Sequence, residues 1–198
     1  MSTSTPAAWL IAGAPGAGKT TVARMLADRL EPVPALLDKD TIYASFVVAT
    51  LAAAGRPFGE REGPWYDEHI KVHEYTGIAD TAREIRSAGC PALLVAPFSE
   101  QIRHKDRWAD YVERLGGDPV RLVWVRSDPG TLRARIVERG NDRDAQKLAN
   151  FDAFTAATRP DEPPPVPHHE IDNRHGAPPL DQQVERLHAA TGPVKGTT

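Results

Sequence analysis

The sequence predicts an α/β fold in three layers: a five-stranded parallel sheet with helices on both faces. Three observations carry this. Five short apolar runs, at 8–12, 35–37, 92–96, 120–125 and 169–171, alternate with segments of helical character, as in a parallel sheet joined by crossover helices. The first run, Ala8-Trp9-Leu10-Ile11-Ala12, is apolar at every position, as a strand buried on both faces is. The segment after it is rich in glycine and leads into Val22, Met25, Leu26 and Leu30 at helical spacing.

That glycine segment, Gly13-Ala14-Pro15-Gly16-Ala17-Gly18-Lys19-Thr20, fits G-x-x-x-x-G-K-[ST], the phosphate-binding P-loop. Strand, loop and helix come in the order its mechanism requires. Glycines let the backbone wrap a phosphate with its N–H groups turned inward. The positive end of the next helix adds to the field. Lys19 is placed to reach the β- and γ-phosphates and Thr20 to bind Mg²⁺, and Thr21 is counted with the loop among the nucleotide-binding residues. The expected ligands are therefore ATP and Mg²⁺, and the fold a P-loop NTPase fold.

In such sheets ligands sit at the carboxyl ends of the strands. The second run ends in Asp38-Lys39-Asp40. Period-two alternation sends both carboxylates to one side, where one can accept the proton of an attacking hydroxyl and the other serve the metal. The competing reading is helix capping, since Asp40 precedes Thr41-Ile42-Tyr43. Residues 43–54 read as one helix, 55–64 as a loop, and 65–88 as a long helix with Gly77 as its weak point. Trp65, Tyr66, His69 and His73 share a helix face and can line a pocket. His69 and His73 alone make a poor metal site, and packing or a hydrogen bond is the preferred reading. Arg56, Arg61 and Lys71 suit either an anionic acceptor or a solvated surface.

The third run leads into Pro97-Phe98-Ser99 and carries no Walker B acid. This argues against a motor or AAA-type ATPase and moves the metal role towards Asp38 and Thr20. Phe98 either stacks on an acceptor or caps the core. Residues 108–115 read as a helix. After the fourth run, Arg135 and Arg139 fall on one helix face and Arg143 in or just after a polar turn. Such an array can close over a triphosphate and offset transition-state charge, or form a solvated basic face. Residues 151–158 read as a helix, 159–167 as a proline-rich extended connector, 180–190 as a helix with Val184 and Leu187 inward, and 191–198 as a frayed tail.

Asp38-x-Asp40 resembles the D-x-D that ends the second strand of small-molecule P-loop kinases such as shikimate kinase and adenylylsulfate kinase. The resemblance implies Asp40 as base or acceptor anchor and Asp38 near the metal. Arg135-x-x-x-Arg139 resembles the lid helix of gluconate-kinase-like and shikimate-kinase-like enzymes. It implies Arg135 beside the nucleotide and Arg139 or Arg143 on phosphate. In the same kinases the loop after the last strand contacts adenine, which points to Asn173 and Arg174. Over roughly residues 7–175 the chain resembles P-loop kinases of the nucleoside-monophosphate-kinase-like group, close to proteins labelled AAA-family ATPase or zeta-toxin-like. Implied is ATP-dependent phosphorylation of a small-molecule hydroxyl by one domain spanning 1–198, with an acceptor-binding insertion at about 41–88 and a helical lid at about 135–150.

Composition sets limits on partners. A net charge of −3 argues against a strongly cationic nucleic-acid binder. The lone Cys90 allows no internal disulfide, and no signal-like segment or membrane-length apolar run is present. A cytoplasmic monomer or homodimer without membrane partners is expected. Two other readings share the P-loop. A polynucleotide 5′-hydroxyl kinase requires a basic, aromatic-lined channel. An ATP-binding switch hydrolyses slowly, and the absence of N-K-x-D argues against a GTPase.

Overall fold

The computed structural model describes residues 5–141 and 144–191. Its strands are β1 (Ala8–Ala12), β2 (Ala35–Asp38), β3 (Ala92–Val95), β4 (Val120–Arg126) and β5 (His169–Asp172). All pairings are parallel, in the order β2-β3-β1-β4-β5. The predicted five-stranded α/β sheet is therefore present, with strand ends shifted by a residue. β3 lies between β1 and β2, and the register sets Val95 beside both Ile11 and Asp38. The carboxyl ends of these three strands thus come out together.

Helices cover both faces. Trp9 and Ile11 of β1 point into one core layer with Val22 and Leu26 of α1 (Lys19–Ala27). Ala8, Leu10 and Ala12 point into the other. This period-two split with both sides buried is why β1 is apolar throughout. α2 (Lys39–Ile42), α3 (Ala44–Ala53) and α4 (Pro64–Tyr66) follow, then one π-helical turn over Asp67–Lys71 and α5 (Val72–Ser87). α5 packs Tyr75, Ile78 and Ala82 on the second layer, beside α6 (Ser99–Ile102) and α7 (Lys105–Arg114). α8 (Pro129–Arg139), α9 (Ala145–Ala149), α10 (Phe151–Thr158) and α11 (Leu180–Thr191) complete the first layer. Val184 and Leu187 are buried as expected. The predicted frayed tail lies outside the described residues beyond Thr191.

The segment predicted as one helix over 43–54 is one helix, α3, and a short unpredicted helix, α2, precedes it, the two separated at Tyr43. The Asp38 carboxylate accepts the Asp40 N–H at 3.0 Å, so α2 starts early, and Asp38 rather than Asp40 is the cap. Tyr43 leaves helical geometry and lays its ring against α5. Gly77, expected to weaken the long helix, does not interrupt it. A Cβ there would lie 2.0 Å from Tyr43 Oη and 3.2 Å from Tyr43 Cζ, so glycine makes room for the phenol. Gly77→Ala is expected to destabilise the fold by about 1–2 kcal/mol despite the better helix propensity of alanine. Tyr43→Phe in the same background should recover most of the loss. Denaturant midpoints of the four variants check this, and additive effects would rule out the contact as the cause.

The proline-rich connector after α10 is neither helix nor strand. Arg103, largely buried, ties it down by donating to the carbonyls of Arg159 and Glu162, both at 2.7 Å. β5 is an edge strand. Its last residue, Asp172, donates its N–H to Gln183 Oε1 at 2.8 Å and accepts Gln183 Nε2–H on its carbonyl at 2.7 Å.

Candidate active site

The loop after β1 closes tightly on its neighbours. A Cβ at Gly13 would lie 2.6 Å from the Val125 carbonyl oxygen, and one at Gly18 2.3 Å from Asn173 Nδ2. Gly18 also has φ +94°, a left-handed conformation that favours glycine. Asn173 donates to the Ala17 carbonyl at 2.8 Å and accepts from Arg135 Nη2 at 3.2 Å. One side chain thus joins the loop to α8. Lys19 Nζ donates to the Ala14 carbonyl at 3.1 Å. Burial pushes the Lys19 ammonium down to about 8, with the charges of Asp40 and Asp38 opposing.

Asp38 ends β2 and reaches across to the loop. Its Oδ2 accepts the Thr20 hydroxyl at 3.0 Å while Oδ1 caps α2. Asp40 sits in the first turn of α2, not in the strand. Both carboxylates do face one cavity, but helix geometry rather than strand alternation puts Asp40 there. Between them in sequence, Lys39 turns inward and is 7% exposed. Its Nζ lies 3.1 Å from Asp40 Oδ1 and 2.8 Å from Glu74 Oε1. Glu74, 2% exposed, accepts the Tyr66 hydroxyl at 3.2 Å on its other oxygen. Burial, reinforced by the Glu74 charge, raises the Tyr66 phenol and keeps it a donor.

These groups line one open cavity of about 810 Å³. Its lining includes Lys19, Thr20, Asp38, Asp40, Arg135 and Arg139 with Pro15, Gly16, Gly18 and Thr21 of the loop region. Arg61, Tyr66, Lys71, Glu74 and Ser99 line the same cavity. Gly13, Ala14 and Ala17 are buried behind the loop. Arg139 pairs with Asp144, a 1%-exposed acid that also takes Lys147 at 3.2 Å. Arg143 lies outside the described residues.

Some candidates point elsewhere. Arg174 faces a separate depression and chelates Asp172, with Nη2 2.7 Å from Oδ2 and Nε 2.9 Å from Oδ1. Of the aromatic face predicted at 65–73, only Tyr66 reaches the cavity. His69 stacks on Trp65 at 4.8 Å and donates to the Trp65 carbonyl, the packing reading. Among the described residues no cluster of three His, Cys, Asp or Glu suits a metal. Phe98 is fully buried between Tyr75 and Tyr111 and caps the core. Arg56 stacks on Trp65 and pairs with Glu60. Missed from the sequence were Lys39 as a buried cation, its partner Glu74, and Asp144 with Lys147. The one legible signal was Lys39 standing between two site acids. Nothing marked Glu74, 35 residues away.

A family model described as an AAA domain matches residues 9–164. The chain belongs to the AAA domain family. The missing acid after β3, which argued against an AAA-type protein, therefore does not exclude membership. No curated protein matches. Solved structures do. A sugar kinase from Janibacter sp. HTCC2649 is 17% identical with a TM-score of 0.61, over 93% of each chain. Tunicamycin resistance protein from Deinococcus radiodurans is 18% identical with a TM-score of 0.59, over 95% of this chain and 96% of that one. Shikimate kinase from Acinetobacter baumannii, solved with shikimate, is 16% identical with a TM-score of 0.54, over 95% and 94%. At these identities this AAA domain shares the P-loop kinase fold with them, as its D-x-D and arginine spacing implied. Among the described residues, no helix is long and apolar enough to cross a membrane.

Proposed function

We propose that the protein transfers the γ-phosphoryl group of ATP, with Mg²⁺, to a hydroxyl of a small molecule. The observation that carries this reading is the cavity itself. It is lined by Lys19, the Thr20–Asp38 pair and Asp40 together with residues of 61–75 and 95–100. The glycine loop has left-handed backbone at Gly16 and Gly18, as a phosphate-wrapping loop requires, and packs against Val125 and Asn173 too closely for side chains at Gly13 and Gly18. Thr20 and Asp38 offer the hard oxygen donors that magnesium takes. Mg²⁺, when bound, supplies neutralisation of the phosphate charge.

In this reading the chain works as one kinase domain, with 41–88 as the acceptor-binding insertion and 135–150 as the lid. The acceptor oxygen bonds to the γ-phosphorus as the bond to the bridging oxygen breaks, and ADP leaves. Asp40 takes the hydroxyl proton. Lys19, Arg135 and Arg139 offset the charge on the transferring group. Asn173 holds the loop, and the backbone at Arg174 borders the base. Release of ADP from purified protein, alone and with pools of hydroxylated metabolites, nucleosides and oligonucleotides, tests the reading, with mass spectrometry for an added phosphoryl group. Stimulation by a metabolite pool supports it. Phosphate gained only by oligonucleotides would mean a 5′-hydroxyl kinase, and slow release that no pool changes would mean a switch.

Lys19 gives this reading a pH signature. In the empty loop its pKa is lowered to about 8, and bound phosphates hold it charged, so binding raises it. The ammonium's contribution to nucleotide affinity is therefore whole below about 8 and is lost as pH rises through the empty-loop value. Affinity should fall by up to about tenfold per pH unit above it. Calorimetry in buffers of different ionisation heat should find proton uptake on binding near zero at neutral pH and approaching one proton in alkaline buffer. Uptake that does not vary with pH would contradict it.

A further inference from the structure

Lys39 stands where stability alone would not put a lysine. It is the first residue of α2, and a cation gains nothing from the field at the start of a helix. Its ammonium turns inward instead of reaching water, and the residue is 7% exposed. Among the described residues it meets three groups: Glu74 Oε1 at 2.8 Å, Asp40 Oδ1 at 3.1 Å, and the Tyr75 ring, whose centre is 5.8 Å away. A buried ion pair is often no more stabilising than an apolar pair of similar volume. Fold stability therefore does not account for the Lys39–Glu74 pair.

The contact with Asp40 does. Adjacent residues of a helix do not face each other, so Lys39 and Asp40 meet because Glu74 draws the ammonium inward from α5. Glu74 is itself fixed: it is nearly inaccessible, and its second oxygen accepts the Tyr66 hydroxyl at 3.2 Å. Tyr66, Glu74 and Lys39 form a chain from α4 through α5 to α2 that ends on one oxygen of Asp40, and all four residues line the cavity. The Asp40 carboxylate is half-exposed, and such a side chain has more than one staggered rotamer open to it. A cation fixed within the wall favours the rotamer that sets Oδ1 against it. We infer that Lys39 is a positioning residue: anchored by Glu74 and Tyr66, it holds the Asp40 carboxylate in the orientation that takes the acceptor's proton. This rests on the kinase reading, in which Asp40 is the base. Orientation matters greatly in such a step, since a displacement of about 1 Å can cost about 10²-fold in rate.

The test replaces the pair in the full chain, Lys39→Met with Glu74→Leu, with and without Asp40→Asn. The pair is neutral as a whole, so its removal leaves the net charge around the nucleotide unchanged. Each protein receives Mg²⁺, ATP and a fixed mixture of sugars, hydroxy acids and nucleosides. Mass spectrometry reads the phosphorylated product, and calorimetry the Kd for a non-hydrolysable ATP analogue. Replacing the pair should lower kcat by about 10²-fold and leave both the KM for ATP and the analogue Kd within about twofold. In the Asp40→Asn background the same replacement should change kcat by less than about threefold, because the group it orients is gone. Lys39→Met with Glu74→Gln, which keeps an oxygen for Tyr66, carries the test if the apolar pair does not fold. The inference is overturned if the folded variant keeps the wild-type kcat, or if kcat falls equally with and without the Asp40 carboxylate. Wild-type protein that phosphorylates nothing in the mixture overturns the kinase reading and the inference with it, whereas wild-type transfer that is indifferent to the pair overturns the inference alone.

Discussion

Asp40→Asn should lower the rate of phosphoryl transfer by about 10²–10⁴-fold while leaving nucleotide binding close to wild type. The amide keeps the size of the carboxylate and loses its ability to take a proton. The substitution does not orphan Lys39, because Glu74 Oε1 remains 2.8 Å from its ammonium, so the local fold should hold. Asp40 is half-exposed on the cavity wall, where an acceptor hydroxyl can reach it. Asp38, by contrast, is engaged with Thr20 and the start of α2. The measurements are kcat with the identified acceptor and the Kd for nucleotide on the same protein. Lost nucleotide affinity would reassign Asp40 to the metal, and an unchanged rate would remove it from catalysis.

Glu74→Ala should be among the most damaging substitutions to stability, by about 3–5 kcal/mol, the cost of leaving half of a buried ion pair. Lys39 and Glu74 are both nearly inaccessible, and Tyr66 also loses its acceptor. Asp40 still touches Lys39, which places the loss towards the lower end of that range. Glu74→Gln keeps an oxygen for each neighbour and should cost less. Replacing the pair together, Lys39→Met with Glu74→Leu, should recover much of the loss, since no charge is then buried alone. Denaturant midpoints read all of these. A Glu74→Ala cost below about 1 kcal/mol would mean that the pair behaves as a surface salt bridge.

The parts of the fold that were legible are those where local chemistry decides. An apolar run buried on both faces, a loop that only glycine can form, and an Asp at the end of β2 each leave a mark within a few residues. The Arg135–Arg139 spacing did the same for α8. What was not legible depends on chain segments meeting across distance. The short α2 and its separation at Tyr43 from the helix predicted over 43–54 were not legible, because the Tyr43 phenol sits in the gap at Gly77 on another helix. Lys39 and Glu74 are a pair only because α2 crosses α5. Asp144 could not be told from a surface acid until Arg139 and Lys147 closed on it. Even the agreement on Asp38 and Asp40 came by a different route, since one carboxylate ends a strand and the other begins a helix.

Gln183 has a consequence for how molecules of this protein meet. An edge strand offers unpaired amide and carbonyl groups to any passing strand, and that is how sheets grow into aggregates. At the end of β5 a carboxamide already occupies the place of such a strand, giving one donor and one acceptor to Asp172. The opposite edge, β2, is four residues long and follows Pro32 and Pro34, which shortens the template there. Both margins of the sheet are thus poor nuclei for intermolecular strand addition. The side chain that fastens the last helix to the sheet thus also closes the carboxyl end of this edge to an incoming strand.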